Sequence, residues 1–134
     1  MEEFLTKVKK EHEEIYHKLD KFLINLTKVK NIRDDEHLLK TSNAMLDYVK
    51  WLLESHFKDE EQVLFPQLDN IELRDRLLAD HLEIELKYNK VLEAFNSFDS
   101  QEDYRQQLLY PAYNLIATIN HHAQREDRYF DQTS

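Results

Sequence analysis

His12, His56, His81 and His122 each stand where a helical pattern asks for a core hydrophobe. Glu60, Glu85 and Glu126 follow the last three of these histidines by four residues, one helical turn. Imidazole and carboxylate are costly in a core unless something neutralises or ligates them. Residues four apart share a helix face, so each His-x-x-x-Glu pair can aim nitrogen and oxygen at one point. Two such pairs on facing helices supply two glutamates able to bridge two metal ions, and the other helices add terminal histidines. With no cysteine in the chain, thiolate sites are excluded, and the mixture suits iron, manganese or zinc. So many ligands and bridging carboxylates argue against a closed tetrahedral zinc.

Helices must carry these residues, because the 134-residue chain contains no glycine and only two prolines, Pro66 and Pro111. Strand–turn folds and phosphate-cradling loops both need glycine, so P-loop and Rossmann readings fail. The length is that of one ordinary domain, taken as residues 1–134. The net charge of −9 and pI of about 5.2 repel phosphate backbones, so no nucleic-acid partner is expected. Met1–Lys10 is charged and nothing approaches transmembrane length. The expectation is a cytoplasmic protein with no membrane partner.

The first helix is expected over Glu2–Val29, with the seam Val8, His12, Ile15, Leu19, Phe22, Leu26, Val29. A second starts at a cap, Asp34 or Asp35, and runs through Leu38, Ser42, Met45, Val49, Leu52, His56, Glu60 and Val63 to Phe65–Pro66. Asp69-x-x-Glu72 resembles a capping box for the third, whose seam reads Leu78, His81, Glu85, Tyr88, Leu92, Phe95. Ser100 is the expected cap of the fourth, which carries Leu108, Ala112, Leu115, Ile119, His122, Glu126 and Tyr129, with a kink or a new start at Pro111. Asn31 and Asn96 stand where left-handed helix ends are wanted.

Short loops favour antiparallel neighbours, so the fold class is all-α, an up-down-up-down four-helix bundle. His12 and His81 lie about ten residues after a helix start, and His56 and His122 about nine before a helix end. At 1.5 Å per residue all four sit roughly 15 Å from the same end. A repeat agrees with this placement. Glu11-His12 resembles Asp80-His81, and His56-x-x-x-Glu60-Glu61 resembles His122-x-x-x-Glu126-Asp127.

The stretch His56-Phe57-Lys58-Asp59-Glu60-Glu61-Gln62-Val63-Leu64-Phe65-Pro66 resembles the H-F-x-x-E-E-x-x-L-F-P signature of hemerythrin-like (HHE) domains. Asp80-His81 and His122-x-x-x-Glu126-Asp127 are similar to later motifs of that family, so the resemblance spans nearly the whole chain. It implies a non-haem di-iron centre, two iron ions bridged by oxo or hydroxo. His12, His56, His81 and His122 are its implied terminal ligands, with Glu60 and Glu126 bridging. Oxygen-carrying members have a fifth histidine where this chain has Glu85. An anionic ligand there favours ferric iron, so the expectation is a protein that binds, senses or reduces oxygen, peroxide or nitric oxide, rather than a reversible carrier. An iron store or donor, and a metal-dependent structural bundle, are the alternatives.

Other residues have blander readings. Asp127 competes with Glu126 as bridge through a five-residue spacing, and the four-residue spacing favours Glu126. Tyr16, four after His12, packs or donates to the site. His121 is a neighbour of the site, His17 and His37 lie off the seams, and Asp59, Glu61 and Glu83 read as a solvated charged face. Trp51, Phe57, Phe65 and Phe130 read as packing.

Overall fold

The first helix, α1 (Glu2–Thr27), buries Val8, His12, Ile15, Leu19 and Leu26 along one stripe. The computed structural model describes residues 2–133, and side chains for 2–130. Helix α2 covers 35–64. Asp34 caps it, its Oδ1 accepting from the His37 backbone N–H at 3.0 Å. An α-helical stretch, Asp35–Trp51, is followed by π-type turns at Leu52–His56 and Glu60–Leu64. Each π turn adds a residue to the helical repeat and rotates the next turn of helix about its axis. The core position after Glu60 therefore passes from Val63, 39% exposed, to buried Leu64.

A 3-10 turn, Phe65–Gln67, leads to α3 (Ile71–Asn96). Its cap is Asn70, whose Oδ1 accepts from the Leu73 N–H at 3.0 Å, not the expected Asp69. Its buried stripe is Leu77, His81, Ile84 and Val91, with Tyr88 and Phe95 packed against it. The expected stripe through Leu78, Glu85 and Leu92 is displaced from this one by a residue. Both keep the three–four spacing, but only the observed one is apolar throughout apart from His81 and the Tyr88 hydroxyl. Helix α4 covers 105–133 and opens with a π turn, Arg105–Leu109, instead of a kink at Pro111. That wide turn accommodates the missing proline N–H just ahead of Tyr110–Thr133. Asp103, not Ser100, caps it, accepting from the Arg105 N–H at 3.0 Å. No described residue has positive φ, so Asn31 and Asn96 are not left-handed caps.

Helices α1 and α3 each pack against both α2 and α4, which closes an antiparallel square without strands among the described residues. At one end the two helix–helix loops are tied together. Arg33 donates to the Ser100 carbonyl at 2.7 Å, and Arg105 and Tyr104 donate to the Lys30 carbonyl at 2.7 and 3.0 Å. The core has two parts. A large apolar cluster around Ile15, Leu52, Ile84 and Leu115 fills that end. A small one, Val8, Leu64, Phe65, Leu68, Leu77 and Phe130, closes the other. The histidines and glutamates form a polar layer between them. No helix among the described residues is long and apolar enough to cross a membrane.

Candidate metal centre

His12, His56, Glu60, His81, His122 and Glu126 are all buried, both glutamates completely. Their donor atoms form two groups that share Glu60. One is His12, His56 and Glu60; the other is Glu60, His81, His122 and Glu126. Within each, the ligand atoms lie within 4.8 Å of one another. Glu60 Oε2 faces His12 Nε2 and His56 Nε2 at 3.5 and 3.4 Å, while its Oε1 faces His81 Nε2 at 3.0 Å. Glu126 Oε1 lies 2.8 Å from His122 Nε2 and 3.6 Å from His12 Nε2.

The outward nitrogen of each imidazole meets a carboxylate. His56 Nδ1 lies 3.2 Å from Glu11, His81 Nδ1 3.0 Å from Glu61, His122 Nδ1 3.0 Å from Asp80, and His12 Nδ1 2.6 Å from Asp127. A carboxylate accepts, so it fixes the imidazole proton on Nδ1 and leaves the Nε2 lone pair pointing inward. The acids form a closed ring: α1 holds the histidine of α2, α2 that of α3, α3 that of α4, and α4 that of α1. This is the repeat seen in the sequence. The acid before each odd-helix histidine, and the acid five after each even-helix one, reaches the next helix.

Electrostatics show how poorly the cluster suits itself. Burial opposes charge on His12, but Asp127, Glu60 and Glu126 outweigh it and push the imidazole up to about 10. Burial likewise opposes charge on His122, yet Glu126 and Asp80 drive it well above its ordinary value. Burial and the charge of Glu60 push Glu126 up to about 8. Burial disfavours charge on Glu60 as well, but its neighbours Glu126, His12, His122 and His56 hold it well below its ordinary value.

A resident cation fits this arrangement on structural grounds. His12 Nε2, His56 Nε2, Glu60 Oε2 and both oxygens of Glu126 are buried without a hydrogen-bond partner. His81 Nε2 and His122 Nε2 lie 2.9 Å apart, so without a metal these two inward nitrogens need a proton between them. Buried polar atoms left unpaired in such numbers are a liability that a metal removes. The family model for the hemerythrin HHE cation binding domain matches residues 3–132. The chain belongs to the hemerythrin HHE family. No curated protein and no solved structure gives a significant match. Cation binding is thus the family's property, and the buried histidine–glutamate cluster is where this hemerythrin-like chain can exercise it.

The structure does not bring Glu85 to the other six. It is exposed, off the buried stripe of α3, and belongs to neither donor group. It lines a surface cavity of about 590 Å³ between α2 and α3, whose wall also includes Phe57, Glu61, Leu82 and His81. Asp127 orients His12 and accepts from the Tyr16 hydroxyl at 2.5 Å. Glu61 is no mere solvated acid, since it holds His81. Arg125, not singled out from the sequence, pairs with Asp80. Phe57 stacks on His81 with ring centroids 4.2 Å apart, and His121 is exposed. The adjacent acids Glu11 and Asp80 were visible in the repeat, but their reach to a neighbouring helix was not.

Proposed function

We propose that this hemerythrin-like chain holds two iron ions through His12, His56, Glu60, His81, His122 and Glu126, and that it binds, senses or reduces small oxidants such as oxygen, peroxide or nitric oxide. The observation that carries this reading is the shared Glu60, with one oxygen toward each donor group. Four inward Nε2 atoms surround it, and their outward nitrogens are already held. Iron bound there supplies one-electron chemistry and Lewis acidity; the chain's residues position, seal and admit. The carboxylate ring holds the rings in register, and the two apolar clusters keep bulk water from the layer along the bundle axis.

Access is from the side. The cavity beside α2 and α3 reaches His81 and is roomy enough for a diatomic or peroxide ligand. A hydrophobic and aromatic wall there, Phe57 and Leu82, meets the acids Glu61 and Glu85. Glu85, which stands where oxygen carriers have a fifth histidine, lies at the cavity wall and in neither donor group. This supports reaction or sensing over reversible carriage. The test is iron quantification with optical spectra of the purified chain before and after oxygen, peroxide and nitric oxide. About two irons per chain and a spectrum that responds to these ligands are expected. An iron-reconstituted chain that retains no iron would overturn the reading, and a stable reversible oxygen adduct would overturn its non-carrier part.

A further inference from the structure

The ring of acids repeats with the bundle's approximate two-fold, but the groups behind it do not. Behind Asp127 stands Tyr16, four residues after His12, donating its hydroxyl proton to Oδ2 at 2.5 Å while Oδ1 takes His12 at 2.6 Å. The matching position four residues after His81 is Glu85, which cannot donate when ionised and which sits exposed. Its acid, Glu61, accepts from His81 and from no other described residue. Asp80 is backed by Arg125, and Glu11 by none of the described residues besides His56. Tyr16 is half-buried and lines shallow surface clefts with Gln124 and Asp127, and with Glu13 and Asn120. Its hydroxyl nonetheless points inward, at the acid that orients a proposed ligand. A tyrosine kept only for packing has no need of that bond.

Resting on the di-iron reading above, we infer that Tyr16 is a positioning residue that tunes the metal position held by His12, acting through Asp127 and on that position alone. By bonding Asp127 it weakens the pull of that carboxylate on His12 Nδ1–H. His12 thereby becomes a poorer electron donor than His81, whose acid has no such bond. A hydrogen-bond donor to a ligand's anionic partner drains charge from the ligand, and outer partners of this kind tune the metal. The His12–His56–Glu60 position therefore favours the ferrous state relative to one without the phenol. At the His81–His122 position the backed acid is Asp80, which holds His122 and pairs with the Arg125 cation instead of a neutral phenol. The phenol thus acts on one of the two one-electron steps, the one belonging to the His12 position.

The experiment compares the full-length iron-loaded chain with its Tyr16→Phe and Asp127→Asn variants by spectroelectrochemistry, with iron counted in each. Tyr16→Phe leaves Asp127 a stronger acceptor, and is expected to raise the ferric preference of one ion about tenfold, a fall of about 59 mV in one of two one-electron steps. Asp127→Asn replaces the carboxylate by a weaker acceptor and is expected to move the same step upward. The other step should stay in place in both variants. Simple structural damage would move the two variants in the same direction, which a bond acting through His12 does not. A second measurement needs no redox chemistry. In zinc-loaded, ¹⁵N-histidine-labelled protein, Tyr16→Phe should shift the His12 ring nitrogens and leave those of His81 unmoved. The inference is overturned if both variants hold two irons with wild-type potentials, if both shift in one direction, or if the His12 resonances do not respond. A wild-type chain that holds no iron pair instead removes the di-iron reading, a separate outcome read from the metal count.

Discussion

At the level of single residues, the site divides into groups that offer lone pairs and groups that aim them. Glu60 has one oxygen toward each donor set, so no substitute side chain at another position replaces it. On the proposed di-iron reading, Glu60→Ala is expected to abolish retention of both ions, measured as iron per chain after desalting. Glu61→Gln keeps every donor but weakens the hold on His81 Nδ1, and should lower metal affinity by about 10–100-fold in a calorimetric titration. Glu85→Ala, at an exposed cavity wall, should keep the iron count of the parent. Loss of iron in that variant would return Glu85 to the ligand set. The five-residue spacing that made Asp127 a competing bridge has a different use here. It carries the carboxylate past the centre, where it meets the outer nitrogen of His12.

At the level of helices, α3 shows how a one-residue choice of face decides which acid is inside. The stripe Leu77, His81, Ile84, Tyr88, Val91, Phe95 and the stripe Leu78, His81, Glu85, Tyr88, Leu92, Phe95 both satisfy helical spacing. Placing Glu85 inward sacrifices Ile84, which is fully buried. Ile84→Ala is expected to cost about 2–5 kcal/mol in chemical denaturation, and Leu82→Ala, at an exposed position, within about 0.5 kcal/mol. The caps give a second test. Asn70→Ala removes the bond to the Leu73 N–H and should cost about 1 kcal/mol, whereas Asp69→Ala should be close to neutral. The π turns of α2 and α4 had no counterpart in a reading based on a regular repeat. They move Leu64 inward in place of Val63 and let α4 run through Pro111.

For the whole molecule, a charged layer between two dry clusters couples metal to stability. Unpartnered buried nitrogens and oxygens weaken the metal-free bundle, and bound metal favours the folded state by mass action. Chelation is therefore expected to lower the thermal midpoint, by an amount corresponding to roughly 4 kcal/mol if the free metal stood a thousandfold above its dissociation constant. An unchanged midpoint would remove this coupling. Ligands must be deprotonated to bind, so acidification should release the metal and alkalinisation within the folded range should not. Monitoring iron absorbance and helicity together along a pH titration checks the sign, with iron leaving before the helices melt.

Spacing and residue type were enough to single out six side chains that meet in the buried layer, the depth at which they meet, and an antiparallel four-helix plan. Periodicity and helix rise depend only on local backbone geometry. The absence of glycine and cysteine removed competing chemistries before any contact was known. What the local pattern could not decide was anything set by a neighbouring helix. Glu85 stays at the surface because Ile84 fills the core against the facing helices. Glu61, which reads as a solvated acid, holds a histidine because α3 passes beside it. Asp127 and Tyr16 act together only because α4 lies against α1. Those choices are made by packing between segments distant in the chain, where burial of one side chain excludes its neighbour, and only the assembled bundle contains that information.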